Sequence, residues 1–487
     1  MNSRQSQSMR RALTIGALSG ALAGLATGAL VRSYDLWAFG QANSLLDGYF
    51  ITILIGSMLG AAFGVLVRGQ RHGVGENLFW GMSYGIFLWV LGELTFIPLL
   101  TDGAFAWDLF AAQASLPALV GFLIYGSLTG LLLALLTIRG TEASFPGLGT
   151  LARGTLAGLA AALVLGILLD TQEHLVPMGA MMSGVSENDP RIAAWIIILM
   201  IGALAGLFYA AFYPAPTDGA GPAVIRGAAY GFFWWVIGAL TLLPLLSGHD
   251  LGWSIEPLRA EFPTLPAFIL FGSMLALFYQ LLHRLVLILL SEEVGDPRSE
   301  GPGAQALRAL GRGAVAGMVG GGIFTFVMLQ IGFLPDVASL VGSNAPGTGL
   351  IVHFIIAILI GMSYGLLFRR QSFDVTSALG WGLTYGFVWW ILGALTLMPI
   401  FLGSIPQWSV SAVALAFPAL IGHLGYGAGL GLTFYILEAR DRPWWLSRSD
   451  SEAERIALQK EQILSSAPAI WVLIVLIALT LPVLLGA

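Results

Sequence analysis

Apolar runs of about twenty residues, the length that crosses a ~30 Å hydrocarbon core, follow one another along nearly the whole chain. Short polar or glycine- and proline-containing breaks separate them. Thirteen such runs are present, and twelve fall into three sets of four, at 11–139, 152–290 and 311–437. A polar stretch, 438–466, precedes the last run, within 467–487. The pattern predicts an all-α polytopic membrane protein of about 13 transmembrane helices: three tandem, parallel four-helix repeats and one C-terminal helix, in pseudo-threefold arrangement.

The repeat is plainest in the third run of each set. Tyr84 to Pro98 reads YGIFLWVLGELTFIP, Tyr230 to Pro244 reads YGFFWWVIGALTLLP, and Tyr385 to Pro399 reads YGFVWWILGALTLMP. A tryptophan follows each proline by nine residues (Trp107, Trp253, Trp408) and a second proline by nineteen (Pro117, Pro263, Pro418). Asp108, Ser254 and Ser409 directly follow those tryptophans and suit the N-cap of a short helix. Three interfacial helices are therefore expected, with Trp107, Trp253 and Trp408 as their anchors at the bilayer surface. The first runs carry small residues four apart, as in Gly16, Gly20, Gly24 and Gly28, and the second runs pair Gly56/Gly60, Gly202/Gly206 and Gly361/Gly365. Such residues share one helix face and predict close helix contacts.

Composition narrows the class. With 57% hydrophobic and 10% charged residues, the chain is not a water-soluble enzyme, and a net charge of -5 excludes a basic nucleic-acid footprint. Without cysteine there is no thiolate nucleophile or disulfide. Charge placement sets orientation. If the N-terminus is cytoplasmic, inside segments hold 19 of the 22 Lys and Arg, leaving outside only Arg32, Arg191 and Arg259. The C-terminus is then outside, as are the tryptophan-bearing connections. The first run follows a basic segment as in a signal peptide, but Arg11 and Gly16 match Arg153 and Gly158, so it is expected to be retained. The stretch 291–308 reads as a flexible link. Within 438–466 the capping-box spacing of Ser451 and Glu454, after Trp444 and Trp445, predicts an amphipathic helix on the cytoplasmic surface.

Candidate chemistry lies where one repeat carries an ionisable group that the others lack. His423 matches Phe122 and Phe268, His353 matches Gly48 and Ala194, and Glu93 matches Ala239 and Ala394. All three are placed within roughly 5–9 Å of the outer boundary at 1.5 Å per residue, and could line one outward-facing vestibule with Tyr385 and Trp389. Glu93 reads either as a pathway group or as one that reaches the interface. Each histidine reads either as a neutral imidazole bonded to a backbone carbonyl or as a proton or metal ligand. No cofactor is predicted; a haem or metal at His353 and His423 is the alternative weighed against that. The outer segment Asp170 to Asp189 gathers carboxylates, methionines and His174, and reads as a solvated loop before a loose cation site.

His353 in VHFIIAILIGMSYG and the run Gly422-His423-Leu424 resemble the YagU-type bacterial inner membrane proteins, which have a histidine opening one span and a G-H-L motif in a later one. The resemblance covers about 85 residues of repeat three and implies an inner-membrane location. The sequence thus points to an integral membrane protein that moves or senses a small solute or ion at an outward-facing polar site between repeats. The alternative is a non-transporting scaffold or cofactor-holding subunit of a membrane complex. The expected partners are the lipid bilayer and such subunits, not nucleic acid. No Walker loop, GxSxG, HExxH or dinucleotide fingerprint supports an enzyme.

Overall fold

In a computed structural model the described residues are 3–33, 45–68, 73–137, 146–176, 179, 190–214, 219–246, 248–290, 302–369, 371–372 and 374–440. Among them the chain is helical without strands, and twelve helices are long and apolar enough to cross a membrane. The expected thirteenth span, the amphipathic helix after residue 440, residues 291–301 of the expected link and most of the acidic outer segment lie outside the described residues, while 302–308, expected as part of that link, are helical.

The spans of the first set are α1 (Ser3–Ser33), α2 (Leu45–Leu66), α3 (Val74–Leu91) and, after the short α4 (Leu109–Ala114), α5 (Leu116–Thr137). The second set holds α6 (Leu148–Thr171), α7 (Pro190–Phe212), α8 (Ala220–Trp234), the short α9 (Ile255–Glu261) and α10 (Leu265–Leu290). The third holds α11 (Pro302–Ile331), the short α12 (Leu334–Ser339), α13 (Pro346–Phe368), α14 (Val375–Trp389), the short α15 (Val410–Leu415) and α16 (Phe417–Arg440). Within each set the first span packs on the second and fourth, and the third packs on the fourth.

Small residues bring these pairs together. A Cβ on Gly20 would lie 2.6 Å from the Gly60 Cα, and one on Gly24 would lie 2.6 Å from the Thr52 carbonyl oxygen. Gly81 and Gly126 do the same for α3 and α5, as do Gly382 and Gly427 for α14 and α16: each faces the other's backbone with no room for a side chain. Without a hydrophobic drive between helices in lipid, this contact area is what holds them. The third and fourth spans of all three sets then share one core, in which Ile86, Trp89, Phe232, Trp235, Phe387 and Trp390 meet Leu123, Phe268 and Leu420. The sets interlock at glycines: the Tyr213 ring sits where a Cβ of Gly75 would be, and the Phe368 ring lies 2.7 Å from the Cβ position of Gly221.

Candidate functional site

The repeated third span is built around its proline. Pro98, Pro244 and Pro399 lack the N–H that would bond the carbonyl four residues back. Those carbonyls, of Leu94, Leu240 and Leu395, instead accept from the backbone N–H of Ala106, Gly252 and Gln407, at 3.0, 3.0 and 2.8 Å. Each donor immediately precedes the conserved-spacing tryptophan, so the proline and the tryptophan nine residues on form one clamp. Just before the proline the spans widen into π-helix, over Gly92–Phe96, Trp235–Leu242 and Trp390–Leu397. There Thr95, Thr241 and Thr396 donate five residues back, to Val90, Val236 and Ile391 at 2.7, 2.8 and 2.8 Å. The same hydroxyl oxygens accept the indole N–H of Trp107, Trp253 and Trp408, each at 3.0 Å.

Burial departs from the expected role as bilayer anchors at two of these tryptophans. Trp253 and Trp408 are 0% exposed, whereas Trp107 is 66% exposed and stacks on Phe105 at 4.5 Å. The indole turns inward because the threonine in the π-turn and the freed carbonyl both face the returning chain, and in sets two and three the core closes over it. The caps also differ by copy. Asp108 and Ser409 accept from Ala111 and Ala412 as expected, while Ser254 makes no side-chain cap. Thr396→Val is expected to cost about 1 kcal/mol, the net worth of the lost hydrogen bonds, read as a lower midpoint of thermal unfolding in detergent.

Glu93 lies in the π-turn of set one, one turn beyond Trp89, and is half-buried. Among the described residues nothing hydrogen-bonds or pairs with its carboxylate. The structure does not bring it to the histidines through any described contact.

His353 and His423 do come together, both against a residue the sequence did not single out. The Phe324 ring of α11 lies 5.5 Å from the His353 ring and 4.6 Å from the His423 ring, centroid to centroid. His353, on α13, is 6% exposed; its Nε2 lies 3.0 Å from the Gly321 carbonyl. His423, on α16, has Nδ1 at 2.7 Å from the Ala419 carbonyl of its own helix. A carbonyl only accepts, so these nitrogens carry the ring hydrogens, and His353 Nδ1 and His423 Nε2 are left as bare acceptors in the neutral rings. Phe324 is held there by Gly422, whose absent side chain leaves the notch that the ring edge occupies. The glycine before His423 thus has a steric reason.

Compared with family models, curated proteins and solved structures, the chain matches none of them. Its chemistry rests on its own residues.

Tyr385 and Trp389 stand apart from this pair. The Tyr385 hydroxyl bonds Ser363 at 2.6 Å and the Ile360 carbonyl at 3.2 Å, and Trp389 meets the Tyr385 ring edge-on at 6.2 Å. Ser363 is about 15 Å further along α13 than His353, at 1.5 Å per residue. Tyr84 and Tyr230 repeat the bond, to the carbonyls of Leu59 and Ala205 at 2.9 and 2.8 Å, so this tyrosine ties the third span to the second.

Charged contacts lie at the other end of the spans, among basic residues whose placement along the sequence marks orientation. Arg226 of α8 reaches Glu76 of α3 at 3.4 Å and lies over the Tyr213 ring at 4.5 Å, joining sets one and two. Arg312 of α11 pairs with Glu438 of α16 at 2.6 Å; its sequence equivalent Arg153 meets neutral partners, His283 Nδ1 at 2.9 Å and the Tyr279 hydroxyl at 2.8 Å. Their partners lie on another helix, out of reach of any spacing rule.

Proposed function

We propose that this is a bacterial-type inner-membrane protein that moves or senses a small solute or ion, with its polar site at His353, Phe324 and His423. The observation that carries the reading is the pair of imidazoles, from different spans, bordering one phenyl ring within an apolar frame. Ionisable groups inside membrane spans are expensive and characteristically mark a pathway or binding site. The bias of basic residues to one side supports a cytoplasmic N-terminus and an outward-facing site, and the even number of spans per set supports three units in parallel about a pseudo-threefold axis. The last apolar run, 467–487, is the thirteenth span in this reading and carries the C-terminus outside. The G-H-L motif and the opening histidine support a kinship with the YagU-type proteins.

The test is a panel of Glu93→Ala, His353→Ala and His423→Ala in proteoliposome flux assays. Both histidine variants are expected to lose flux on the order of tenfold, the loss of one hydrogen bond to a charged group, and Glu93→Ala less, since it lies in another unit. Unchanged pH-dependent flux in all three removes the reading.

A specific observation favours the second reading, a scaffold or cofactor-holding subunit. Ser83, Ser127, Thr129 and Thr384, buried in the spans, each donate to the carbonyl four residues back in their own helix, at 3.0, 2.7, 2.8 and 2.7 Å. Their hydroxyl hydrogens are thereby committed to the backbone, which leaves a solute only their acceptor lone pairs. Co-purifying subunits or a pigment spectrum would favour this role.

A further inference from the structure

We infer that the site at His353 and His423 takes a monovalent cation bearing N–H groups, ammonium or a primary alkylammonium, and that Phe324 is the gate that admits it. The inference rests on the reading just proposed and names its ligand.

The donor set selects the class. Both imidazoles have given their one hydrogen to a backbone carbonyl, so each offers a lone pair, His353 at Nδ1 and His423 at Nε2. Two bare acceptors call for a ligand rich in donors. In their neutral form neither ring has a hydrogen left to give to an anion. Among the described residues no third His, Asp or Glu joins the pair, so nothing there neutralises a divalent metal. The desolvation penalty grows with the square of the charge, so a monovalent cation costs far less there than a divalent one. Alkali and alkaline-earth ions take oxygen ligands, not imidazole nitrogen. An ammonium group instead presents N–H donors that match both lone pairs, and the face of Phe324 attracts it further.

The packing assigns Phe324 its part. The ring borders both imidazoles, which are not in ring contact with each other, so a ligand shared by the two would meet it. It is seated on Gly422, where a Cβ would overlap the ring edge. Rotation of one side chain off that seat opens the space, and return closes it.

The experiment is radiolabelled methylammonium binding to the purified full chain and uptake into proteoliposomes, for wild type, His353→Ala, His423→Ala, His423→Gln and Phe324→Ala. Wild type is expected to bind saturably, and each histidine-to-alanine change to weaken binding on the order of tenfold, one hydrogen bond to a charged group. Phe324→Ala is expected to speed uptake several-fold. His423→Gln, which keeps an acceptor in a side chain of similar reach, is expected to retain part of the binding and so separates ligand loss from misfolding. Histidine-dependent flux of another solute with no saturable methylammonium binding overturns the ligand class and leaves the proposed function standing. Histidine-dependent binding of Zn²⁺ or Cu⁺ without methylammonium binding overturns it likewise. Methylammonium uptake that Phe324→Ala leaves unchanged overturns the gate. Loss of neither flux nor binding in the histidine variants overturns both readings.

Discussion

Trp408→Ala is expected to destabilise the protein by about 3–5 kcal/mol, the range for removing a fully buried large aromatic, whereas Trp107→Ala is expected to change it by about 0.5 kcal/mol, as for an exposed position. The two residues each follow the proline of a third span by nine residues, and both donate to the threonine of the π-turn at 3.0 Å. They differ in what lies behind the ring. Trp408 is 0% exposed in the shared core, and Gln172 of set two reaches the neighbouring Pro406 carbonyl at 3.0 Å. Deleting that indole leaves a cavity and an unpaired acceptor on Thr396 beneath it. Thermal unfolding in detergent, followed by loss of the monodisperse peak in size-exclusion chromatography, reads the difference. Equal effects of the two substitutions would show that burial in the shared core adds nothing to the worth of Trp408.

Gly20→Ala is expected to destabilise by about 1–3 kcal/mol, as overpacking does, while Gly322→Ala is expected to be neutral or to stabilise by up to about 1 kcal/mol through helix propensity. At Gly20 the new methyl would meet the Gly56 carbonyl and lie 2.6 Å from the Gly60 Cα and 2.8 Å from its N, all backbone that no rotamer change can move aside. α1 and α2 must part to admit it, and their van der Waals contact is the main attraction between them in lipid. A Cβ on Gly322 meets nothing within 4 Å. The same chemical change therefore acts with opposite sign on the first spans of two sets. Urea or SDS titration of both variants measures it; a destabilised Gly322→Ala would place an unseen contact on that face.

Much of the architecture was legible in the residues. Hydropathy marks the twelve described spans, and four-residue spacing of small residues marks the faces that touch, because both properties are carried by neighbours along one helix. The proline, threonine and tryptophan of the repeated stretch were visible as a spacing, though not as a clamp. The link between them is a carbonyl left unbonded at Leu94, Leu240 and Leu395, and the chain must fold back to find it. Glu93 was legible as a departure from the pattern, and the structure gives it no described partner.

What the sequence determined by itself is therefore what depends on local order: the spans, the paired small faces, and the candidate status of His353 and His423 as the odd residues of their repeats. Only the tertiary structure decided that Trp253 and Trp408 are core while Trp107 is surface, since burial depends on what neighbouring sets cover. It alone placed Phe324 from α11 against histidines on α13 and α16, seated on Gly422, and left Tyr385 and Trp389 elsewhere. Contacts between spans that lie tens of residues apart are set by which helix faces can approach, and no period within a single helix encodes that choice.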